Sequence, residues 1–514
     1  MQQNRISIKC IVASKRVTQT KIMKTFKKRI LQLLVFLALL YVALLIPGSD
    51  DQPLFRAKEK PFTWNSDSLW MMLEQNFKAA KNYNQSQLDS TIDSLRSSAE
   101  NSFNILSAKP FDAADSNLTS IQNSFFRLAP LIAVNGKEIS WYTDYYNRVR
   151  VLIKEQSQNW YVKEPFIRDR IYKLLYGMRA AIEEVLLQSE KNDFPSAMKV
   201  KDEKSVTPAA SIFGIEVHSG DMLVSRGGAE VSALISRGND YPGNFSHIAF
   251  LYIEEQTKKP WLVEAHIEKG VAVSSIEQYE KDKKLRFMVM RPRADLPAMI
   301  ANPMLPQKAA RRAYEAALAR HIPYDFKMNF HDSSAMFCSE VASWAYDRYG
   351  LQFWQTGSTI SSKGVVDWLH DFGVENFVTQ MPSDLEYDPQ LSVVAEWRDM
   401  ETLYKDHIDN AVMDAMLEQA DKGVEIKYNH WLLPIVRVVK GYCMLKNAFG
   451  KPGMIPEGMS ATRALKNQTF VAMHVAIKSK TEKMAADFIS QNHYRPPYWR
   501  LVKFAEAAAK EVIK

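Results

Sequence analysis

Cysteine is scarce in this chain: 514 residues contain three, Cys10, Cys338 and Cys443. Three cysteines cannot staple a disulfide-framed domain, and none of them has a neighbour at zinc-ligand spacing. The sequence also lacks His-Glu-x-x-His, so neither a metal nor any other cofactor is expected. Acidic residues are missing from residues 1–30, which carry nine Lys or Arg, and this imbalance accounts for the overall charge of +8. The remainder holds 57 basic and 58 acidic residues, a net of −1. A basic pI made this way says nothing about phosphate binding, and no nucleic acid is expected as a partner.

Long apolar runs are also rare, with one exception. Ile30 to Ile46 is apolar but for Gln32 and ends in Pro47-Gly48-Ser49-Asp50-Asp51. An apolar segment without a polar face, flanked by positive charge on one side, predicts a transmembrane signal-anchor over 30–48 with the basic N-terminus, 1–29, in the cytoplasm. The expectation is a single-pass inner-membrane protein whose bulk is exported to a periplasmic or extracytoplasmic space. Without a following Ala-x-Ala site, an uncleaved anchor is favoured over a cleaved signal, and Met23 is an alternative start. Cys338 and Cys443 then share the exported side, where they either pair or remain free for use.

Beyond the anchor the texture changes three times. Residues 49–190 read as a helical domain: Leu69, Met72, Leu73 and Phe77 keep helical spacing, as do Leu88, Ile92 and Leu95, and Ile171, Leu174, Leu175 and Met178. Polar residues 191–211 read as a linker. Short β-rich runs follow at 220–225, 245–253, 261–266, 270–273 and 285–290, the third and fourth as a hairpin-like pair. Helices are expected at 307–320 and after Cys338. This is a small antiparallel sheet followed by helices, an α+β domain over 212–390. The C-terminal region, 391–514, reads as helical again, beginning with a helix from Trp397 to Glu418. The helical flanks show no ligand spacing and suit packing or the binding of a protein partner.

Three residues carry chemistry. Cys338 lies between Phe337 and Ser339 in the first turn of a helix whose apolar positions are Val341, Trp344, Ala345 and Tyr349. Asp332, Ser333 and Ser334 are all good N-caps, and Glu340 suits the first turn. Unpaired backbone N–H groups and the helix dipole at that end favour a thiolate. His247 opens an apolar strand, and Glu264 sits mid-run in the neighbouring one, where a polar group needs a partner. If the strands pair, His247 and Glu264 lie side by side on one face, with the Cys338 helix packed across it. Each residue also has a structural reading: a small core cysteine, a histidine satisfied by backbone, a glutamate on a solvated face.

The order of these segments resembles the permuted papain-like NlpC-type cysteine hydrolases of the YiiX/YaeF kind, related in layout to the lecithin:retinol acyltransferase-like enzymes. The resemblance covers about residues 212–385 and rests on Gly220-Asp221-Met222-Leu223-Val224, Ser246-His247-Ile248-Ala249, Val263-Glu264-Ala265, Pro323-Tyr324-Asp325-Phe326 and Phe337-Cys338-Ser339-Glu340. His247 precedes Cys338 by 91 residues, the permuted order. The resemblance implies a permuted papain-like core with Cys338 as nucleophile, His247 as general base and acid, and Glu264 orienting the imidazole. Tyr324 would line the pocket or the oxyanion site, unless it is structural; Asp221 would fix a turn beneath the sheet. His266 is the rival third member, because period-two alternation puts it on the face of Glu264. The implied activity is hydrolysis of an amide or acyl ester in a cell-envelope peptide or lipid-acyl substrate. The alternative is a membrane-anchored interaction scaffold with an inactive or ligand-binding core.

Overall fold

The apolar run folds as one exposed helix, α1 (Phe26–Leu45), which has a mean hydropathy of 2.0 and is long and apolar enough to cross a membrane. It begins four residues before the expected span. Residues 47 and 48, the end of that span, lie outside the residues described by this computed structural model, which are Lys24, 26–46, 57–64, 67–189, 194–353 and 356–513. Cys10 also lies outside them.

Helical periodicity in the next region yields α2 (Asp67–Ala80), α3 (Gln85–Ser107), α4 (Ser116–Asn135), α5 (Ile139–Gln156) and α6 (Met178–Gln188). Leu88, Ile92 and Leu95 are buried, as are Ile171, Leu174, Leu175 and Met178, whereas Met72 is exposed. The chain enters α3 through a capping box, in which Asn84 accepts from the Gln87 backbone and Gln87 reaches back to Asn84. Aromatic residues of α5 fill this core: Tyr142, Tyr145 and Tyr146 are fully buried, and each hydroxyl donates to a main-chain carbonyl.

The β-rich stretch forms most of a seven-stranded antiparallel sheet: β1 (Ala197–Lys199), β2 (Met222–Gly227), β3 (His247–Ile253), β4 (Pro260–His266), β5 (Gly270–Ser275), β6 (Lys284–Pro292) and β7 (Leu391–Arg398). Their spatial order is β1-β7-β6-β2-β3-β4-β5. Two of these strands depart from the sequence reading. β1 lies inside the expected linker, and β7 occupies residues expected to open a helical region, so that the helix read from Trp397 begins instead at Met400. The reason is burial: Leu391 to Glu396 are all buried and β7 lies between β1 and β6, where a pleated strand satisfies the backbone and a helix would not.

Between β6 and β7 lie α7 (Leu305–Ala319) and α8 (Cys338–Asp347), and after β7 come α9 (Met400–Asp421), α10 (Leu433–Ala448), α11 (Ala461–Asn492) and α12 (Tyr498–Val512). The sheet's two faces bury different cores. Met222, Val224, Ile248, Phe250, Val263 and Ala265 share one with Val341, Ala342 and Ala345 of α8. Leu223, Ala249, Leu251, Leu262 and Val289 form the other.

Buried ion pairs join the N-terminal helices to this layer. Arg150 pairs with Glu396 and Arg179 with Glu386, while Arg286 forks onto Glu183 at 2.5 and 3.1 Å. All six side chains are nearly solvent-free, so each charge depends on its partner.

Candidate active site

The site starts from two neighbouring strands. β3 and β4 pair antiparallel with Phe250 opposite Val263, a register that sets His247, Glu264 and His266 on the same side of the sheet. His247 Nε2 is 2.9 Å from Glu264 Oε2. Ser274, on β5, donates to the other carboxylate oxygen at 2.7 Å, and His266 Nε2 lies 3.7 Å from that same oxygen. The two imidazoles stack with centroids 5.6 Å apart. Glu264 is 1% exposed. Burial disfavours its charge, but the two histidines outweigh it and hold the carboxyl well below the usual range.

Cys338 is the first residue of α8 and is buried. Its Sγ lies 3.8 Å from the Ser246 carbonyl, immediately before His247, which sets the sulfur close enough to interact with the imidazole. Burial works against an imidazolium here, but the bonds to Cys338 and Glu264 prevail and raise the His247 pKa to about 10. Cys338 and Cys443 are both free, so the pairing considered from sequence does not form.

Two local expectations change. α8 does not pack across the face that carries His247 and Glu264. It covers the opposite face, with Tyr346 5.4 Å from Phe250, and Cys338 meets His247 at the end of β3. Strict alternation along β3 is the reason: Ile248 and Phe250 point toward α8, and His247 with Ala249 toward the other core. The N-cap, in turn, is Phe337 and not Asp332, Ser333 or Ser334. Asp332 closes a turn of its own by accepting from the Ser334 N–H at 2.9 Å. Glu340 takes over the capping contact by accepting from the Phe337 N–H at 2.8 Å. Burial, with Asp325 and Cys338 nearby, pushes its carboxyl up to about 9.

Tyr324 is held by main chain on both sides. Met336 N–H donates to the Pro323 carbonyl at 3.0 Å and Asp325 N–H to the Met336 carbonyl at 3.2 Å, so Tyr324 bridges to a residue two positions before Cys338. Gly270, at φ 71°, lets this segment pass: a Cβ there would collide with the Ile322 carbonyl, which instead accepts from Val271 N–H at 2.9 Å. Burial and then the neighbouring sulfur place the Tyr324 phenol well above the usual tyrosine range, so it stays a neutral donor. Asp221 sits away from these groups. It accepts from the His218 N–H at 2.7 Å and binds Arg291 through two 2.7 Å contacts, joining the turn before β2 to β6.

The structure therefore brings Cys338, His247, Glu264, His266 and Tyr324 together and leaves Asp221 in a supporting turn. Ser274 and the neutral Glu340 complete the cluster. Ser274 is a serine on a hairpin strand, and only the register, which sets Glu264 opposite Ala272, reveals its contact. A nucleophile at a helix start, an imidazole and a buried carboxylate can perform acyl transfer. Residues 216–395 match the permuted papain-like amidase family of the YaeF/YiiX type, C92, and the resemblance drawn from the five motifs is shown on that segment. No curated protein and no solved structure matches the chain.

Proposed function

We propose that this chain, with its permuted papain-like amidase segment at 216–395, is a membrane-anchored cysteine hydrolase that cleaves an amide or acyl ester through a thioacyl-enzyme. The observation that carries this reading is the contact chain from Cys338 to His247 to Glu264 at the first turn of α8. The thiolate of Cys338 attacks the carbonyl carbon, and backbone N–H groups at the helix start stabilise the oxyanion. Its collapse breaks the bond to the leaving amine or alcohol, which takes a proton from the His247 imidazolium. Water then attacks the thioester, His247 accepts its proton, and the acid departs as the thiolate reforms. Glu264 keeps the imidazole oriented and favours its charged form. Tyr324, held neutral beside the sulfur, is placed to donate to the oxyanion or to line the cleft.

Substrates that fit an anchored enzyme on the exported side of α1 are cell-envelope peptides and acyl groups of lipids or lipoproteins. The test is the pH dependence of Cys338 alkylation by iodoacetamide in the full chain, compared with His247→Ala. Rapid reaction below about pH 7 that collapses in the variant is expected of an activated thiolate. Slow reaction in both proteins, rising only near about pH 8.5, would sink the hydrolase reading and leave an anchored scaffold in its place.

A further inference from the structure

α10 presents its apolar side to solvent. Trp431, Ile435, Val438, Tyr442, Leu445 and Phe449 recur every three or four residues, so they form one stripe along the helix. All six are exposed; Val438 is 66% and Phe449 80% accessible. The opposite side of the helix is already satisfied: Leu433 and Cys443 are buried, and Val436 and Val439 pack with Phe326, Ile455 and Met459. α10 is therefore apolar on both sides, and the outer one is left uncovered by the described residues.

Charge and position identify what covers it. From Ile426 to Pro456 the chain holds five basic residues, Lys427, Arg437, Lys440, Lys446 and Lys451, and no acidic one. The stripe also begins where α1 leaves the body. Tyr41 donates to the Trp431 carbonyl at 2.6 Å, and Arg437 donates to the Leu44 carbonyl at 2.8 Å. The rest of α1, from Phe26 to Leu40, is exposed. If α1 crosses a bilayer, its C-terminal end lies at the membrane surface, and Trp431 and Arg437 lie at the same level. Tryptophan, tyrosine and arginine are the residues that settle there.

We infer that α10 is an in-plane membrane contact: the stripe from Trp431 to Phe449 dips into the outer part of an anionic bilayer beside α1, with Lys427, Lys446 and Lys451 at the headgroups. This inference goes beyond hydrolysis and rests on reading α1 as a membrane span. Its geometry bears on the cleft. The inner side of α10 packs on Phe326, whose ring is 5.1 Å from that of Tyr324. Docking would hold the cleft beside the bilayer surface, where acyl groups of membrane lipids or lipoproteins are presented.

The experiment uses the full chain in vesicles of phosphatidylcholine and phosphatidylglycerol. In a background in which Cys10, Cys338 and Cys443 are replaced by alanine, single cysteines are introduced as Val438→Cys, Leu445→Cys and, on α3, Ile105→Cys, all at exposed positions, and are labelled with an environment-sensitive fluorophore. Lipids carrying quenchers at known depths should quench the labels at 438 and 445 from a depth of about 5–10 Å and leave the label at 105 untouched. In a Tyr442→Asp background, which circular dichroism checks for folding, that quenching should fall. Vesicle flotation separates the two readings. A chain that fails to float overturns both the α1 reading and this one. A chain that floats with labels at 438 and 445 as accessible to water as that at 105 overturns the α10 contact alone. Labels shielded from water but untouched by lipid quenchers, with energy transfer between copies, would overturn it in favour of a second copy of the chain.

Discussion

Glu340 Oε2 accepts a hydrogen bond from the Phe337 N–H at 2.8 Å, so the acid that caps α8 reaches back across Cys338. Burial raises this carboxyl to about 9, and at neutral pH it caps the helix as an uncharged acid. A carboxylate in the same place would oppose a thiolate two residues away. The sign for stability follows from linkage. Between the ordinary value of 4.5 and about 9 the folded chain holds a proton that the unfolded chain has lost, so stability falls as pH rises through that window. Glu340→Gln keeps the acceptor and removes the titration. Denaturation midpoints should show the variant matching the parent near about pH 5 and exceeding it near about pH 8, by no more than about 1.4 kcal/mol per pH unit. Parallel pH profiles would show that Glu340 is ionised in the fold.

Glu264 and Ser274 test how the imidazole is held. Glu264→Gln preserves size but removes the charge that favours the His247 imidazolium. Alkylation of Cys338 near about pH 6 should fall by about tenfold or more, roughly what loss of a charged hydrogen bond costs. Ser274→Ala leaves the carboxylate in place and removes one 2.7 Å donor, so a loss of about fivefold is expected, the equivalent of about 1 kcal/mol. Because the Glu264 carboxyl is depressed in the fold, its contribution to stability is present above about pH 4.5 and is lost on acidification. A Gln variant as reactive as the parent would remove Glu264 from the mechanism.

Arg179 connects the N-terminal helices to the approach to β3. Its guanidinium pairs with Glu386 and donates to Asn244 Oδ1 at 3.0 Å, three residues before His247. Arg179→Met leaves Glu386 charged and solvent-free, which should cost about 3–5 kcal/mol of stability. Adding Glu386→Gln should restore much of that loss. Chemical denaturation of the four proteins of this cycle measures it. Additive losses in the double variant would show the two side chains to be independent.

How much of this was legible in sequence depends on how local each feature is. β3 and β4 are near-continuous apolar runs that carry two histidines, His247 and His266, and one glutamate, Glu264, so both strands and these polar residues could be read directly. The cysteine at a helix start was equally local. Arg179 and Glu386 were not legible, because charged residues in helices and turns read as solvated faces until partners some two hundred residues away are brought to them. β1 is hidden in the sequence for the same reason: a three-residue strand has no periodicity of its own, and only its pairing with β7 makes it one. Which face α8 covers was misread because the orientation of a helix over a sheet is set by Phe250 and Val263, not by the polar residues between them.

His266 provides the sharpest separation of roles, because sequence alternation allowed it to replace Glu264. In the fold its Nε2 is 3.7 Å from Glu264 Oε1, beyond a good hydrogen bond, while His247 lies 2.9 Å from Oε2. It is also partly exposed and stacked on His247, beside the carboxylate but not between His247 and the sulfur. His266→Ala should therefore slow Cys338 alkylation by only about threefold, the scale of a partly exposed polar contact. The rate should keep the parent's dependence on pH, whereas His247→Ala abolishes the low-pH reaction. Measured over the same pH range, a collapse in His266→Ala equal to that in His247→Ala would reassign the orienting role to His266 and make Glu264 a partner shared by two histidines.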